Sequence, residues 1–150
     1  MADQSPIVPA LTYADPNAAV AFLEAAFGFE QTLSVTDAEG RIQHAELSYG
    51  GGRIMLGPMG WADWAKSPQA VSGINTQVVH VAVQGIDAHC TRARDAGAEI
   101  LAEPADQFYG DRTYRARDCE GHVWTFGQKV REVSSADMEA ATGLKVKERP

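Results

Sequence analysis

Two glycine-centred turns dominate this chain, Tyr49-Gly50-Gly51-Gly52-Arg53-Ile54-Met55-Leu56 and Asp118-Cys119-Glu120-Gly121-His122-Val123-Trp124-Thr125-Phe126. They stand 69 residues apart, from Gly52 to Gly121. A second landmark repeats at nearly the same interval: a short apolar run reaches an Asp at a helix start at Asp15 and at Asp87, 72 residues apart. Repetition at a near-constant offset marks a duplicated supersecondary unit, which restricts the fold more than any single motif does. The chain is expected to be two copies of one module.

Each copy has the same order of elements. In the first, Ile7 to Tyr13 is a strand, with Pro9 suiting a bulge or an edge. Asp15 caps a helix, Pro16 takes its first position, and Val20, Leu23 and Phe27 form one apolar face before Gly28 ends it. Strands follow over residues 30–35, 42–49 and 53–56, joined by turns at residues 37–40 and 50–52. In the second copy a strand over residues 78–83 leads to a helix capped by Asp87 and closed by Gly97. Strands are expected at residues 99–102, 113–117 and 122–126, with a loop at 103–112 that carries Phe108 and Tyr109. The fold class is α+β, two tandem β-α-β-β-β modules in a curved, cup-shaped sheet with helices outside. The boundaries are 1–57 for the first module, 58–76 for the connection, 77–128 for the second module and 129–150 for a tail. Ser134 to Asp137 opens a short helix in that tail, ending near Gly143.

Composition removes several function classes. A chain of 150 residues, 45% hydrophobic, can bury one sizeable core. A net charge of −7 disfavours nucleic acid and anionic membranes and is compatible with a cationic ligand. Cys90 and Cys119 form neither a metal-type pair nor a disulfide framework, as expected of a reduced cytoplasmic protein. Residues 1–6 lack the basic start and apolar core of a secretory signal. No G-x-S-x-G turn is present, and Gly50-Gly51-Gly52 lacks the lysine and helix start of a phosphate loop.

The two strand-Asp-helix units and the Asp-x-x-Gly-His-x-Trp turn resemble the vicinal oxygen chelate superfamily. That group includes glyoxalase I, extradiol dioxygenases, fosfomycin resistance enzymes and bleomycin resistance proteins. The resemblance spans about residues 6–128. Residues 11–15 running into 26–29, and residues 109–112 leading to 121–124, look most like its bleomycin-resistance-like or PhnB-like members. It implies a homodimer, and a divalent metal held by the first and last strands of each module. Counted from the capping Asp, the first-strand positions are Val8 and His80; counted from the turn glycine, the last-strand positions are Leu56 and Thr125. An open catalytic metal site ordinarily has about three protein ligands, and only His80 of these four is a good one.

Two function classes stand open. The first is a metal-free protein that binds a small planar or cationic molecule in the cup. The second is a metal-dependent lyase, isomerase or dioxygenase in which His44 and Glu46, alternating onto one strand face, join His80. The expected in-facing positions are Val8, Ala10, Ile54, Leu56, His80, Ala82, Val123 and Thr125, while Trp124 is assigned to the core. The expected ligand-binding residues are His80, Thr125, Tyr109, Trp61, Trp64, His44, Glu46 and Arg115, with no metal or other cofactor; a divalent metal belongs to the alternative. The partners expected are a small molecule and a second copy.

Overall fold

A computed structural model describes residues 5–150. Strands β1 (Ala10–Tyr13), β2 (Glu30–Thr36), β3 (Ile42–Tyr49) and β4 (Gly52–Pro58) form one sheet in the order β1-β4-β3-β2. Strands β5 (Val79–Ala82), β6 (Glu99–Asp106), β7 (Asp111–Arg117) and β8 (Val123–Lys129) form the other, ordered β5-β8-β7-β6. In both, the first strand pairs parallel to the last and the remaining pairs are antiparallel. Helices α1 (Pro16–Phe22, continuing as a wide turn over Leu23–Phe27) and α2 (Ile86–Asp95) follow the two edge strands. The tandem β-α-β-β-β order read from the repeat is the observed one. The C-terminal helix α3 (Ser135–Thr142) starts at Ser134, whose hydroxyl accepts from the Asp137 N–H, and ends at left-handed Gly143.

Several local expectations are corrected. Helix α2 is not capped by Asp87: it opens at Ile86 after left-handed Gly85, and Gln128 Oε1 accepts the Ile86 N–H. Strand β6 runs on to Asp106 through register shifts and β7 opens at Asp111, so only residues 107–110 of the expected 103–112 loop form a turn. The repeat offset is 70 for the paired edge and last strands, because Ala10 pairs with Met55 as His80 pairs with Thr125. Val8 and Leu56 are therefore not the counterparts of His80 and Thr125. Asp15 precedes its helix whereas Asp87 lies inside one, and Gly52 already belongs to β4. Ile54 and Leu56 point into the core, 3% and 2% exposed, not into a cup.

One core serves both modules. Phe27, at the end of the α1 turn, lies 4.7 Å from Phe126 and 5.6 Å from Trp124, ring centre to ring centre. Phe29 meets Trp124 at 5.5 Å. Trp124 is fully buried, as its place in the strand pattern predicts.

Two polar staples from the second module fix the ends of α1. At the N-terminal end, Glu120 from the β7–β8 turn accepts the Ala14 N–H (2.6 Å), the Asp15 N–H (2.9 Å) and the Ser67 hydroxyl (2.6 Å). Asp118 accepts the Tyr13 hydroxyl (2.6 Å) and the Trp124 indole N–H (3.1 Å), while its other oxygen folds the turn through the Glu120 and His122 N–H groups. Burial first, then the Asp118 carboxylate, hold the Tyr13 phenol protonated far above its usual range. At the C-terminal end the wide turn leaves carbonyls outside the helical ladder, and α2 supplies their donors. Arg92 donates to the Ala25 and Glu24 carbonyls, both at 2.9 Å, and His89 Nε2 meets the Phe27 carbonyl at 2.9 Å. Gly28, at φ +82, makes this approach possible, since a Cβ there would lie 3.0 Å from Arg92 Nη1. Carboxylates at the start of α1 and a guanidinium at its end both suit the helix dipole.

Removing a hydrogen-bonded buried carboxylate strands its donors. Glu120→Ala should lower unfolding free energy in urea by about 3 kcal/mol. Burial pushes the His89 imidazole below its usual range, with the Arg92 charge adding to this and the Phe27 carbonyl opposing it. The folded state then binds fewer protons than the unfolded one, so stability is full above about pH 6.5 and is lost as pH falls through the depressed folded value. Urea midpoints at pH 7 and pH 5 should show this loss, and His89→Gln should shrink it.

Candidate functional site

Strand alternation gives each sheet a core face and an opposite open face. On the open face of the second sheet, His80, Thr125, Arg115 and Ala102 are register partners across four strands. Arg115 Nε donates to Thr125 Oγ1 at 3.1 Å. Thr125 is 7% exposed beneath an exposed Arg115. The His80 ring lies over Gly127, where a Cβ would sit 2.9 Å from Nε2. Glycine at 127 thus clears the space the imidazole occupies.

The corresponding row on the first sheet is Ala10, Met55, Glu46 and Leu33. Here Glu46 is already engaged: His44 Nε2 lies 3.4 Å from Oε1, and Arg53 Nη1 donates to Oε2 at 3.2 Å. Matching rows across the repeat set Ala10 against His80, Met55 against Thr125, and Glu46 against Arg115.

Two cavities flank the seam between edge strands β1 and β5. One, about 320 Å³, is lined by Pro9, Gly51, Arg53, Val79, His80 and Ala82 among others. The other, about 630 Å³, is lined by Ala10, Thr12, Trp64, Ile74, Val79 and Val123 among others. Apolar walls with a few polar groups are the usual composition of a small-molecule site.

The residues expected at the site are distributed over these places. His80 lines the smaller cavity, which also reaches Arg53 and through it the Glu46–His44 pair. Trp64 lines the larger cavity and holds Trp61 edge to face at 4.6 Å. Thr125 and Arg115 sit on the open sheet face outside both cavities, and Tyr109 packs on Phe108 at the β6–β7 turn. Neither of these cavities gathers His80, Thr125, Tyr109 and the tryptophans together. Arg53 is the connecting residue that sequence reading passed over. Its place after three glycines was visible, but its partner Glu46 depends on strand register.

The metal implied by the resemblance does not fit. The four structurally equivalent positions hold Ala10, Met55, His80 and Thr125, a methyl, a thioether, one imidazole and a hydroxyl. Among the described residues no three His, Cys, Asp or Glu come together as a metal site. The Arg115 guanidinium against Thr125 also places a positive charge where a cation would bind.

Two modules sharing a core behind open sheet faces define a paired β-α-β-β-β protein of the metal-chelate type of fold. Residues 7–126 match the Glyoxalase/Bleomycin resistance protein/Dioxygenase superfamily, and the chain belongs to that family. An uncharacterised protein of Mycobacterium bovis, Mb0911c, is 32% identical over 136 residues, 89% of each chain. TioX from Micromonospora sp. ML1 is 36% identical with a TM-score of 0.69, covering 84% of this chain and 99% of its own. TnmS3, an antibiotic binding protein from Streptomyces sp. CB03234, shares the fold at 18% identity and a TM-score of 0.63, covering 86% and 98%.

The His80–Gly127 contact is open to test. Gly127→Ala should stay within about 1 kcal/mol of the parent in unfolding free energy, because the obstructing atoms belong to a side chain that can rotate. The same change should shift the His80 imidazole resonances. Unaltered resonances would show that glycine 127 does not set the ring position.

Proposed function

We propose that this protein binds a small planar organic molecule at the module seam, without a divalent metal, as a cytoplasmic homodimer. The observation that carries this is the site's donor set. A thioether, a methyl and a hydroxyl already bonded to arginine stand where the family's metal chemistry needs anionic or imidazole ligands. What remains is a pair of mainly apolar cavities with His80 in one and Trp64 in the other. Indole faces suit flat ligands, at about 0.5–1.5 kcal/mol beyond area burial. The antibiotic-binding protein TnmS3 supports the reading as an example of this fold serving as a binding module.

Uncovered surface supports the dimer. Strand β2 is exposed along its whole length, with Leu33 and Val35 at 44% and 50%. Their register partners Glu46 and His44 put both on the open face of the first sheet. An apolar, unpaired edge of this kind invites a second strand or surface. A second copy over the open face would add walls to the site. Two free cysteines, Cys90 and Cys119, accord with a reducing compartment.

The expected result is that purified protein carries well under one equivalent of zinc, nickel, manganese or iron by elemental analysis. Its melting temperature should rise with planar aromatic ligands and not with divalent metals, since only a native-state binder stabilises. Near-stoichiometric metal lost on His80→Ala would replace this reading with the metal-dependent lyase or dioxygenase. Light scattering at micromolar concentration should give twice the chain mass, and a clean monomer would remove the dimer.

A further inference from the structure

The sign of the charge on the open face of the second sheet bears on which ligand the protein takes. In-sheet arginines elsewhere are matched to carboxylates: Arg53 to Glu46, Arg112 to Asp87 and Asp106, and Arg117 to Glu99. Arg115 is the exception. Its Nε is fixed by Thr125, and its two Nη groups have no hydrogen-bond or ion-pair partner among the described residues. Strand β6 gives Arg117 a glutamate as register partner but gives Arg115 an alanine, Ala102. In a chain with seven more acids than bases, this is a strand position with no acid set against its arginine.

The neighbours of Arg115 on this face are few and small. His80 and Arg115 flank Thr125 on neighbouring strands, about 10 Å apart at two strand spacings. The next row is Ala82, Gly127, Thr113 and Ala105, small residues with the His80 ring lying over Gly127. Thr125 and Thr113 are buried beneath this face, so the hydroxyl that anchors Arg115 Nε is shielded from water. A guanidinium with Nε anchored and its outer N–H groups free is preorganised for a planar two-oxygen acceptor. On the first sheet the equivalent position is the carboxylate of Glu46, already neutralised by Arg53. The two halves of the repeat therefore differ in charge at one matched position, and only the cationic half is unsatisfied.

The geometry points to a ligand that carries an anionic oxygen pair, a carboxylate on a planar aromatic body, seated on the outer N–H groups of Arg115, which Thr125 holds in place, with His80 beside them. This rests on the metal-free binding reading above and carries its site from the His80 cavity onto the adjoining sheet face, with an anionic ligand in place of the cationic one that net charge suggested. Long-range charge sets the approach, but the contact is made with the nearest fixed group, and that group is a guanidinium.

Isothermal titration with three probes of one shape tests it: 2-naphthoate, 2-naphthamide and 2-naphthylmethylammonium, at pH 7. Naphthoate is expected to bind about tenfold tighter than the amide, the size of one charge-assisted contact, and the ammonium more weakly still. Arg115→Gln should abolish the preference for carboxylate over the amide. Thr125→Val should reduce it through loss of the Nε anchor, and Arg117→Gln, already paired to Glu99, should leave it intact. Equal binding of the three probes, or a preference that survives Arg115→Gln in a folded variant, overturns the anion site and leaves the metal-free binding reading standing. Failure of all three probes at millimolar concentration, in protein that melts cooperatively, counts against both.

Discussion

The buried carboxylate of Glu120 is the contact on which the arrangement of the two modules depends. It lies in a turn of the second module, yet its hydrogen bonds go to the start of α1 in the first module and to Ser67 in the connection. The same turn holds the connection by backbone, through the Glu120 carbonyl to Gln69 N–H, and Gly121 accepts from the Asn75 side chain. A buried charge is tolerable only when its acceptor sites are filled, and here two backbone donors and a hydroxyl fill them. Asp118, two residues earlier, does the same for Tyr13 and Trp124, so strand, helix start and aromatic core are fixed together.

Helix α1 is thereby held at both ends by its neighbour, with acids at the beginning and Arg92 and His89 at the end. This explains why the π-type turn persists. A wide turn leaves carbonyls without partners in their own helix, and α2 provides a guanidinium and an imidazole at the required places. It also positions Phe27 between Trp124 and Phe126, where the cores of the modules merge. Rigid placement of the core side leaves the opposite sheet faces free to diverge in chemistry, and they have done so.

That divergence is greatest at the row where the fold family's metal would be held. Met55 and Thr125 occupy matched places on the last strands, Ala10 and His80 on the first. Glu46 and Arg115 stand beside them with opposite charge, one spent on an ion pair and the other open. A scaffold built by duplication does not require its two halves to keep the same function, because binding depends on individual side chains rather than on the backbone repeat.

The sequence by itself determined the module order, the helix start at Asp15, the closing Gly28, the burial of Trp124 and the C-terminal helix. All are local: a cap, a left-handed glycine and an alternating pattern act over a few residues, and the repeat doubles each signal. Tertiary structure decided the rest. The equivalence of Met55 with Thr125 needed strand pairing, since counting from Gly52 gives Leu56, one residue off and on the opposite strand face. The roles of Glu120, Arg53 and Arg115 were hidden for the same reason. A charged side chain reads alike in sequence whether it is solvated, paired or open, and only the partner brought to it by folding tells which.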